Sequence, residues 1–414
     1  MIRIASGILV AAAAAATSLV LVGTAGISPS QAQMTAPPAA NACSFPTRAS
    51  ATPQETAWRL FVAANCTAGN GKLVWENWIE QSDYYPTSSG KGSAVAALST
   101  HLIGHRLHGS PLALALRAIQ AAPGNKNFAL ALQPATQCNP MSPAFLPANV
   151  VSTATICEET HLNPDTTNFI SSKGYQLRGG QAAAAQHGTD IQFSNPSIEV
   201  KVDWIPATDF KNSFSCSAPP PGVHVETFDG VCYAMVGMHI SSKLLKDWLW
   251  ATFEPQSMLT NPGRCVSYGP CHDSWGSVPA ISYGGSTGFT QQSGGIAKLM
   301  KGAKLAAEFA NYRLDGAQVD FVNKDGTPTL LGNSVIEGEN AGVLPGRASC
   351  ITCHSVSSVK ADGSDGIRYI GTPEPIGIPF KPPAQWVARD FVWSLFLACP
   401  NSPTQRCDGQ AGGK

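Results

Sequence analysis

The stretch SIEVKVDWI, residues 197–205, predicts a β-strand at the centre of the fold. Along it, apolar side chains alternate with polar ones, at Ile198, Val200, Val202 and Trp204. That period of two is typical of a strand with one buried face. Residues 231–240 and 248–253 predict two further strands, and Asp229-Gly230 predicts a turn before the first of them. Together these segments predict a largely antiparallel central sheet.

Helical segments flank the predicted sheet. Thr52 is a typical N-cap, with Pro53 at the first helical position and Glu55 three residues after the cap, so a helix should begin here. Apolar spacing predicts a strand at 312–321 and further helices near residues 73–79, 93–121, 166–172, 296–309 and 384–397. The remaining parts of 122–190 carry signals of loops with short elements, and 261–295 and 355–380 carry loop signals. The predicted fold class is α+β, with N-terminal helices, the sheet and a C-terminal helical and loop region integrated into one large fold.

The first 32 residues have the features of a secretory signal peptide. Arg3 supplies the positive charge, residues 8–22 form the apolar run, and Ser30-Gln31-Ala32 is a small-x-small cleavage site. The run is shorter than the ~20 residues of a typical membrane-spanning helix, and no other stretch reaches that length. We therefore expect no membrane span after signal cleavage, and a bacterial periplasmic location. The mature chain should comprise a flexible segment at 33–51, an α+β domain at 52–330 and a C-terminal region at 331–414.

Net charge and cysteine content limit the partners and the cellular compartment that can be expected for the chain. Lys and Arg total 27 and Asp and Glu also total 27, so no excess of basic residues indicates nucleic acid as a partner. Twelve cysteines are present. In an exported protein they are expected as disulfides, although sequence alone leaves the pairing open. Setting aside Cys350 and Cys353, neighbours along the chain are Cys43/Cys66, Cys138/Cys157, Cys216/Cys232, Cys265/Cys271 and Cys399/Cys407.

The stretch Cys350-Ile351-Thr352-Cys353-His354 carries the strongest chemical signal. It has the form C-x-x-C-H, the attachment signature of a c-type haem. Each thiol can form a thioether with one haem vinyl group, and His354 then follows as the proximal ligand of the iron. The alternatives are a redox dithiol, which needs a thioredoxin-like βαβ context, or half of a zinc site, which needs a second ligand pair. Neither context is evident, so the motif predicts one covalent haem c.

At this motif the chain resembles bacterial exported proteins with a cytochrome c domain. The resemblance implies that Cys350 and Cys353 attach the haem and that His354 is the proximal ligand of its iron. The whole chain is also similar to a large, uncharacterised family of exported single-haem proteins. The segments that carry this wider likeness are Ala57–Phe61, Trp75–Trp78, Val236–Ile240, Trp248–Glu254 and Ala348–Cys350. The resemblance implies one integrated fold and supplies no reaction.

The sequence does not identify the sixth ligand of the haem iron. Small cytochromes c supply a distal Met after the motif, but no Met or His follows His354 here. The upstream candidates are Met235, Met238, His239 and Met300, together with the histidines at positions 101, 105 and 108, which share one helix face in the predicted helix. The iron could also bind water or an unusual protein group such as Lys360 or Tyr369. Strand alternation places Met238 and His239 on opposite faces, so only one of the two can point towards a given pocket.

Three functions are compatible with one haem c. A carrier with two protein ligands on the iron passes electrons to or from a redox partner protein or a small-molecule donor or acceptor. A haem enzyme of peroxidase or oxygenase type needs an open sixth position and distal polar groups. A haem-based binding or sensor module is the third alternative. Glu254 and the Glu158/Glu159 pair are candidate catalytic carboxylates, although structural hydrogen bonds are their more common use. The sequence favours a periplasmic mono-haem c-type cytochrome that transfers electrons.

Overall fold

A computed structural model of the chain describes residues 42–85, 138–143, 146–256, 272–278, 291–337, 345–366 and 375–399. All of them belong to one compact unit, Asn41–Lys414. Several sequence predictions concern residues outside this set: the signal peptide, the helix carrying the histidines at 101, 105 and 108, the Cys265/Cys271 pair and Tyr369.

The chain has an α+β structure in which 26% of the described residues are helical and 28% are strand. The helices are α1 (Pro53–Ala64), α2 (Gln81–Tyr84), α3 (Pro164–Ser172), α4 (Arg178–Gln186), α5 (Gly294–Ala303) and α6 (Cys350–Ser355). Short 3₁₀ turns cover Trp75–Asn77, Ala207–Asp209, Ala307–Asn311, Pro345–Arg347 and Ser394–Leu397.

The strands are β1 (Ile79–Glu80), β2 (Asn139–Pro140), β3 (Thr155–Leu162), β4 (Ile198–Pro206), β5 (Val225–Phe228), β6 (Val231–Ser242), β7 (Leu249–Pro255), β8 (Ser277–Val278), β9 (Gln291–Gln292), β10 (Tyr312–Gln318), β11 (Ser358–Lys360) and β12 (Trp386–Ala388). The main sheet has the order β1-β3-β4-β6-β7-β10, with β2 paired to β3 and β5 to β6. Every pair in it is antiparallel, which confirms the predicted central sheet. Strands β8 and β9 form a separate pair, as do β11 and β12.

The turn between β5 and β6 follows from its two residues. Asp229 has φ 49° and Gly230 has φ 80°, so both take the left-handed conformation that a tight two-residue hairpin needs. Asp tolerates this conformation better than most residues, and Gly adopts it without steric cost. The Asp-Gly pair therefore sets the register in which Phe228 faces Val231.

One face of the sheet packs against helix α1. The Thr52 hydroxyl accepts a hydrogen bond of 3.1 Å from the Glu55 backbone N–H, which confirms the predicted N-cap. The helix buries Trp58 and Phe61, and the Phe61 ring stacks on Phe253 of β7 with centroids 4.3 Å apart. The apolar residues of β4, β6, β7 and β10 that alternate towards this face join the same hydrophobic cluster. This packing fixes which side of each strand remains for other contacts.

The opposite face of the sheet carries a second layer built from the C-terminal segment. Trp250 of β7 shares a hydrophobic cluster with Ile351 of α6, Val359 of β11 and Val387 of β12. Because both faces of the sheet are covered, β4 is buried along most of its length and lacks the single buried face that its alternation predicted. The residues of this second face form the candidate site.

Three disulfides join the neighbouring pairs Cys43–Cys66, Cys138–Cys157 and Cys216–Cys232. Cys399 is also disulfide-bonded. Disulfides form in oxidising compartments, so this cysteine usage fits a secreted protein. Within the described part of the chain, no helix has the length and apolar character needed to traverse a lipid bilayer.

Several secondary-structure predictions were wrong. The segment 73–79 contains a 3₁₀ turn and the start of β1 instead of a helix. The region 122–190, expected to hold loops and short elements, contains the eight-residue strand β3, which was not predicted, and β11 lies in the loop expected over 355–380. The helix predicted at 384–397 is strand β12 followed by a 3₁₀ turn, because Asp390 and Phe391 between them take positive φ values of 51° and 70°. Helix α5 ends at Ala303, with Lys304 in a left-handed cap, rather than extending to 309.

Candidate functional site

The C-x-x-C-H motif forms helix α6 above the second face of the sheet. Cys350 and Cys353 both remain as thiols. Burial raises the pKa of the Cys350 thiol well above its ordinary value, and the nearby Glu337 and Cys353 add to that rise, so the thiol is protonated at neutral pH. The two sulfurs lie on one short helix and form no disulfide, as thioether formation requires.

Gln318, at the end of β10, holds the start of this helix. Its Oε1 accepts a hydrogen bond of 2.9 Å from the Ile351 backbone N–H, and its Nε2 donates to the Ser349 hydroxyl at 3.0 Å. The Ser349 hydroxyl in turn donates to the Thr352 hydroxyl at 2.9 Å, and the Gly377 N–H donates to the same Thr352 oxygen at 3.1 Å. Because these groups are buried and satisfied, the motif is fixed to the sheet rather than displayed on a loose loop.

The His354 ring has one nitrogen fixed and one available. Its Nδ1 donates to the Phe391 carbonyl oxygen at 2.8 Å, which places the proton of the neutral ring on Nδ1. Among the described residues, none forms a hydrogen bond with Nε2. Burial lowers the pKa of His354 to about 4, the Phe391 hydrogen bond opposes that lowering, and the charge of Lys201 adds to it. At neutral pH the ring is therefore uncharged, with the Nε2 lone pair available to a metal.

Two tryptophans pack around His354. The Trp250 ring lies 4.3 Å from the His354 ring, centroid to centroid, and the Trp393 ring meets it edge-on at 6.1 Å. Trp250 is itself oriented by a 3.1 Å hydrogen bond from its Nε1 to the Asp247 carbonyl. These aromatic side chains exclude water from one side of the imidazole and limit its rotation.

A row of polar side chains crosses the sheet beside the motif. Lys201 of β4 lies opposite His239 of β6, which lies opposite Thr252 of β7. Asn333 donates from Nδ2 to the Thr252 hydroxyl at 2.9 Å, so the segment 331–337 lies over this row. That segment brings the Glu337 carboxylate to 3.8 Å from His239 Nε2.

Burial shifts the pKa values of these groups. Burial, together with the smaller effects of the Lys201 and His354 charges, lowers the pKa of His239 to about 3. Burial raises the pKa of Glu337 to about 7, against the effects of the Asn333 backbone N–H and the Lys201 charge. For Lys201, burial acts to lower the pKa, but Glu158 and Asp203 outweigh it and the net shift is upwards. Lys201 therefore stays cationic, and its Nζ pairs with the Glu158 carboxylate at 2.7 Å.

The structure separates the candidate distal ligands. Met235, Met238 and Met300 all belong to the hydrophobic cluster around helix α1, on the far side of the sheet from the motif. The Met238 sulfur accepts a 3.4 Å contact from the Asn65 amide at the end of that helix. His239 lies on the other face of the sheet, so Met238 and His239 point to opposite sides as strand alternation predicted, and His239 shares the face that carries Trp250 and the motif.

The remaining candidates have other roles. Lys360 lies over the Trp386 ring at 5.4 Å as a cation–π pair. Glu254 is fully buried, pairs with Arg313 and accepts from the Ser334 backbone N–H at 3.1 Å. Glu159 accepts from the Trp204 indole and bonds to the ring of its neighbour His161, both at 2.9 Å. These carboxylates are thus occupied by structural hydrogen bonds.

Sequence reasoning missed four residues of this site: Trp250, Gln318, Phe391 and Lys201. Trp250 stands in a Trp-rich stretch that suggests a core position, and it is buried, but its contact with His354 depends on the sheet register. Phe391 contributes a backbone carbonyl, which no side-chain pattern reveals. The signal for Lys201 was present, because a lysine inside a predicted buried strand needs a partner.

The donor set is compatible with covalent haem c. Two thiols that form no disulfide precede an imidazole whose Nδ1 is held by a carbonyl, the arrangement that orients a metal-ligating histidine. Over the described ranges, no group of three or more His, Cys, Asp and Glu residues is arranged to hold a metal ion, so these residues do not complete a zinc site around the thiols. The chain matches no protein-family model, no curated protein and no solved structure.

Proposed function

We propose that this chain is an exported mono-haem c-type protein whose covalently attached haem transfers electrons. The observation that carries the proposal is the geometry of His354, whose Nδ1 is held by the Phe391 carbonyl while its Nε2 remains available beside two reduced thiols. When bound, the haem supplies a one-electron iron couple that the protein tunes through ligands, burial and hydrogen bonds. Cys350 and Cys353 would hold the haem covalently, and His354 would be its proximal ligand.

The residues around the motif suit a haem iron that gains and loses one electron with little change in the surrounding structure. Gln318 fixes the helix that carries the thiols, and Trp250 packs against the proximal imidazole. A rigid and partly water-excluded site reduces the reorganisation that accompanies electron transfer. The disulfides and the N-terminal signal features support the bacterial periplasm as the compartment, where a redox partner protein or a small-molecule donor or acceptor would exchange electrons with the haem.

The first test is covalent attachment. The full chain should be expressed for export in a bacterium with haem c maturation, and the denatured protein examined by haem staining and intact mass. We expect a mass increase of one haem, retained after denaturation, and its loss in the double variant Cys350→Ser/Cys353→Ser. Ile351→Val is the matched control, because it alters an intervening residue of the motif but keeps both thiols. Wild-type protein that matures alongside a positive-control cytochrome without acquiring covalent haem would refute the proposal.

A haem enzyme is the second candidate, and the polar row beside the motif favours it. Lys201, His239 and Glu337 face the same side of the sheet as His354. Distal polar groups of this kind can move protons during peroxide or oxygen chemistry. Absorption spectra of the oxidised and reduced holoprotein, with and without carbon monoxide, separate the two functions. A low-spin spectrum that carbon monoxide leaves unchanged supports the electron carrier, whereas a high-spin spectrum with rapid carbon monoxide binding on reduction supports the enzyme.

A further inference from the structure

We propose that His239 supplies the sixth ligand of the haem iron, opposite His354. This inference rests on the proposed function and names the axial pair that completes it as a bis-histidine site. It selects one residue from the set that the sequence left open.

The register of the sheet places His239 next to the motif. His239 pairs with Thr252 on β7, and Trp250, two residues before Thr252, points from the same face of that strand. Trp250 is in ring contact with His354 at 4.3 Å. His239 is therefore one strand away from the tryptophan that supports the proximal ligand.

The His239 ring is available for coordination. No described residue forms a hydrogen bond with it, and the 3.8 Å separation between its Nε2 and the Glu337 carboxylate is longer than a hydrogen bond. Its side chain retains 21% exposure, so the ring is reachable from one side.

The competing ligands within the described residues are engaged elsewhere or face away. The three methionines lie in the cluster around helix α1, across the sheet. Lys201, opposite His239 in the sheet, is an alternative donor on the same face, but its ammonium is paired with Glu158 at 2.7 Å. Coordination by Lys201 would break that ion pair and deprotonate the amine, whereas coordination by His239 requires neither.

The test uses the spectroscopy of the ferric holoprotein rather than its activity. Electron paramagnetic resonance and near-infrared magnetic circular dichroism should show a low-spin iron with two imidazole ligands. His239→Gly should lose that signal and become high-spin, and added imidazole should restore it by entering the vacated space. A merely structural role for His239 does not predict this chemical rescue.

Two variants serve as matched controls. Met238→Leu changes the adjacent residue on the other face with little change in volume, and Lys201→Arg keeps a cation for Glu158 but removes a donor that can coordinate iron. Both should keep the wild-type signal. If His239→Gly does not fold, as judged by circular dichroism, His239→Met replaces it, and the near-infrared band should then shift to that of a His/Met pair.

The outcomes separate the failure of this inference from the failure of the proposed function. Wild-type protein without covalent haem refutes the proposed function itself. Covalent haem with an unchanged low-spin signal in His239→Gly or His239→Met refutes His239 as the ligand and points to the histidines at 101, 105 and 108 or to another donor. Covalent haem that is high-spin in the wild-type protein refutes a protein sixth ligand and favours the enzyme.

Discussion

The most quantitative prediction concerns His224, which precedes β5 and lies outside the candidate haem site. Its Nε2 donates to Glu226 at 3.3 Å and its Nδ1 to Glu308 at 3.5 Å, and its ring stacks on Phe309 with centroids 4.9 Å apart. Burial acts to lower the pKa of His224, but the hydrogen bonds to Glu226 and Glu308 outweigh it and raise the pKa to about 9. The imidazole is therefore charged in the folded protein at neutral pH.

The sign of the pH dependence follows from this rise. The ordinary pKa of 6.5 describes the unfolded chain and about 9 describes the folded one, so the folded state binds the proton more tightly. Since one pKa unit corresponds to about 1.4 kcal/mol, the charged His224 contributes up to about 3 kcal/mol to the free energy of unfolding. That contribution is fully present below a pH of about 6.5 and is lost as the pH rises through about 9.

Urea unfolding of the disulfide-intact protein measures this contribution. We expect the free energy of unfolding of the wild-type protein to exceed that of His224→Gln at about pH 6, and the difference to shrink by up to about 3 kcal/mol by about pH 10. The variant keeps a polar side chain of similar size and shares every other titrating group, so the difference isolates His224. A wild-type-to-variant difference that stays the same at both pH values would refute the reasoning.

Three further stability predictions can be checked by urea unfolding. Gln318→Leu should cost about 1–3 kcal/mol, because a buried N–H of the C-x-x-C-H motif loses its acceptor. If the proposed function holds, it should also lower the yield of covalent haem. Gly276→Ala should cost about 1–3 kcal/mol, since its new Cβ would lie 2.1 Å from the Trp58 indole nitrogen. Gly230→Ala should cost about 1 kcal/mol, because its φ of 80° is unfavourable for a residue with a Cβ. Gly69→Ala is the control and should cost almost nothing, since Gly69 has neither a positive φ nor a close neighbour. Equal costs for the two variants would contradict the backbone argument.

Some elements could be predicted from the sequence because the signals among their own neighbouring residues agree with the structure that they adopt. Helix α1 was predictable because its cap, its proline and its apolar spacing agree. Strands β4, β6 and β7 were predictable from their alternation and from the Asp229-Gly230 turn. The C-x-x-C-H motif was recognisable because its chemistry resides in five consecutive residues.

The remaining features depend on partners distant in the chain. Strand β3 contains the adjacent carboxylates Glu158 and Glu159, which in the sequence alone suggest a loop. In the structure, Lys201 of β4 pairs with Glu158 and the Trp204 indole of β4 donates to Glu159. The segment after β12 has the apolar content of a helix, yet Asp390 adopts a left-handed conformation held by Lys243 at 2.7 Å and by the Phe193 N–H at 2.8 Å. The same turn aims the Phe391 carbonyl at His354, so the missed element and the missed site contact share one cause.

The packing of helix α1 has a consequence for the order in which the chain matures. The Trp58 indole donates to Asp273 at 2.7 Å across 215 residues of sequence, and Phe61 stacks on a strand almost as distant. At a synthesis rate of roughly 5–20 residues per second, Asp273 follows Trp58 by on the order of 10–40 s. During that interval the helix has no sheet to cover its aromatic face. Helix α1 therefore cannot complete its packing until most of the chain is present, and the long-range strand pairs should make folding slow.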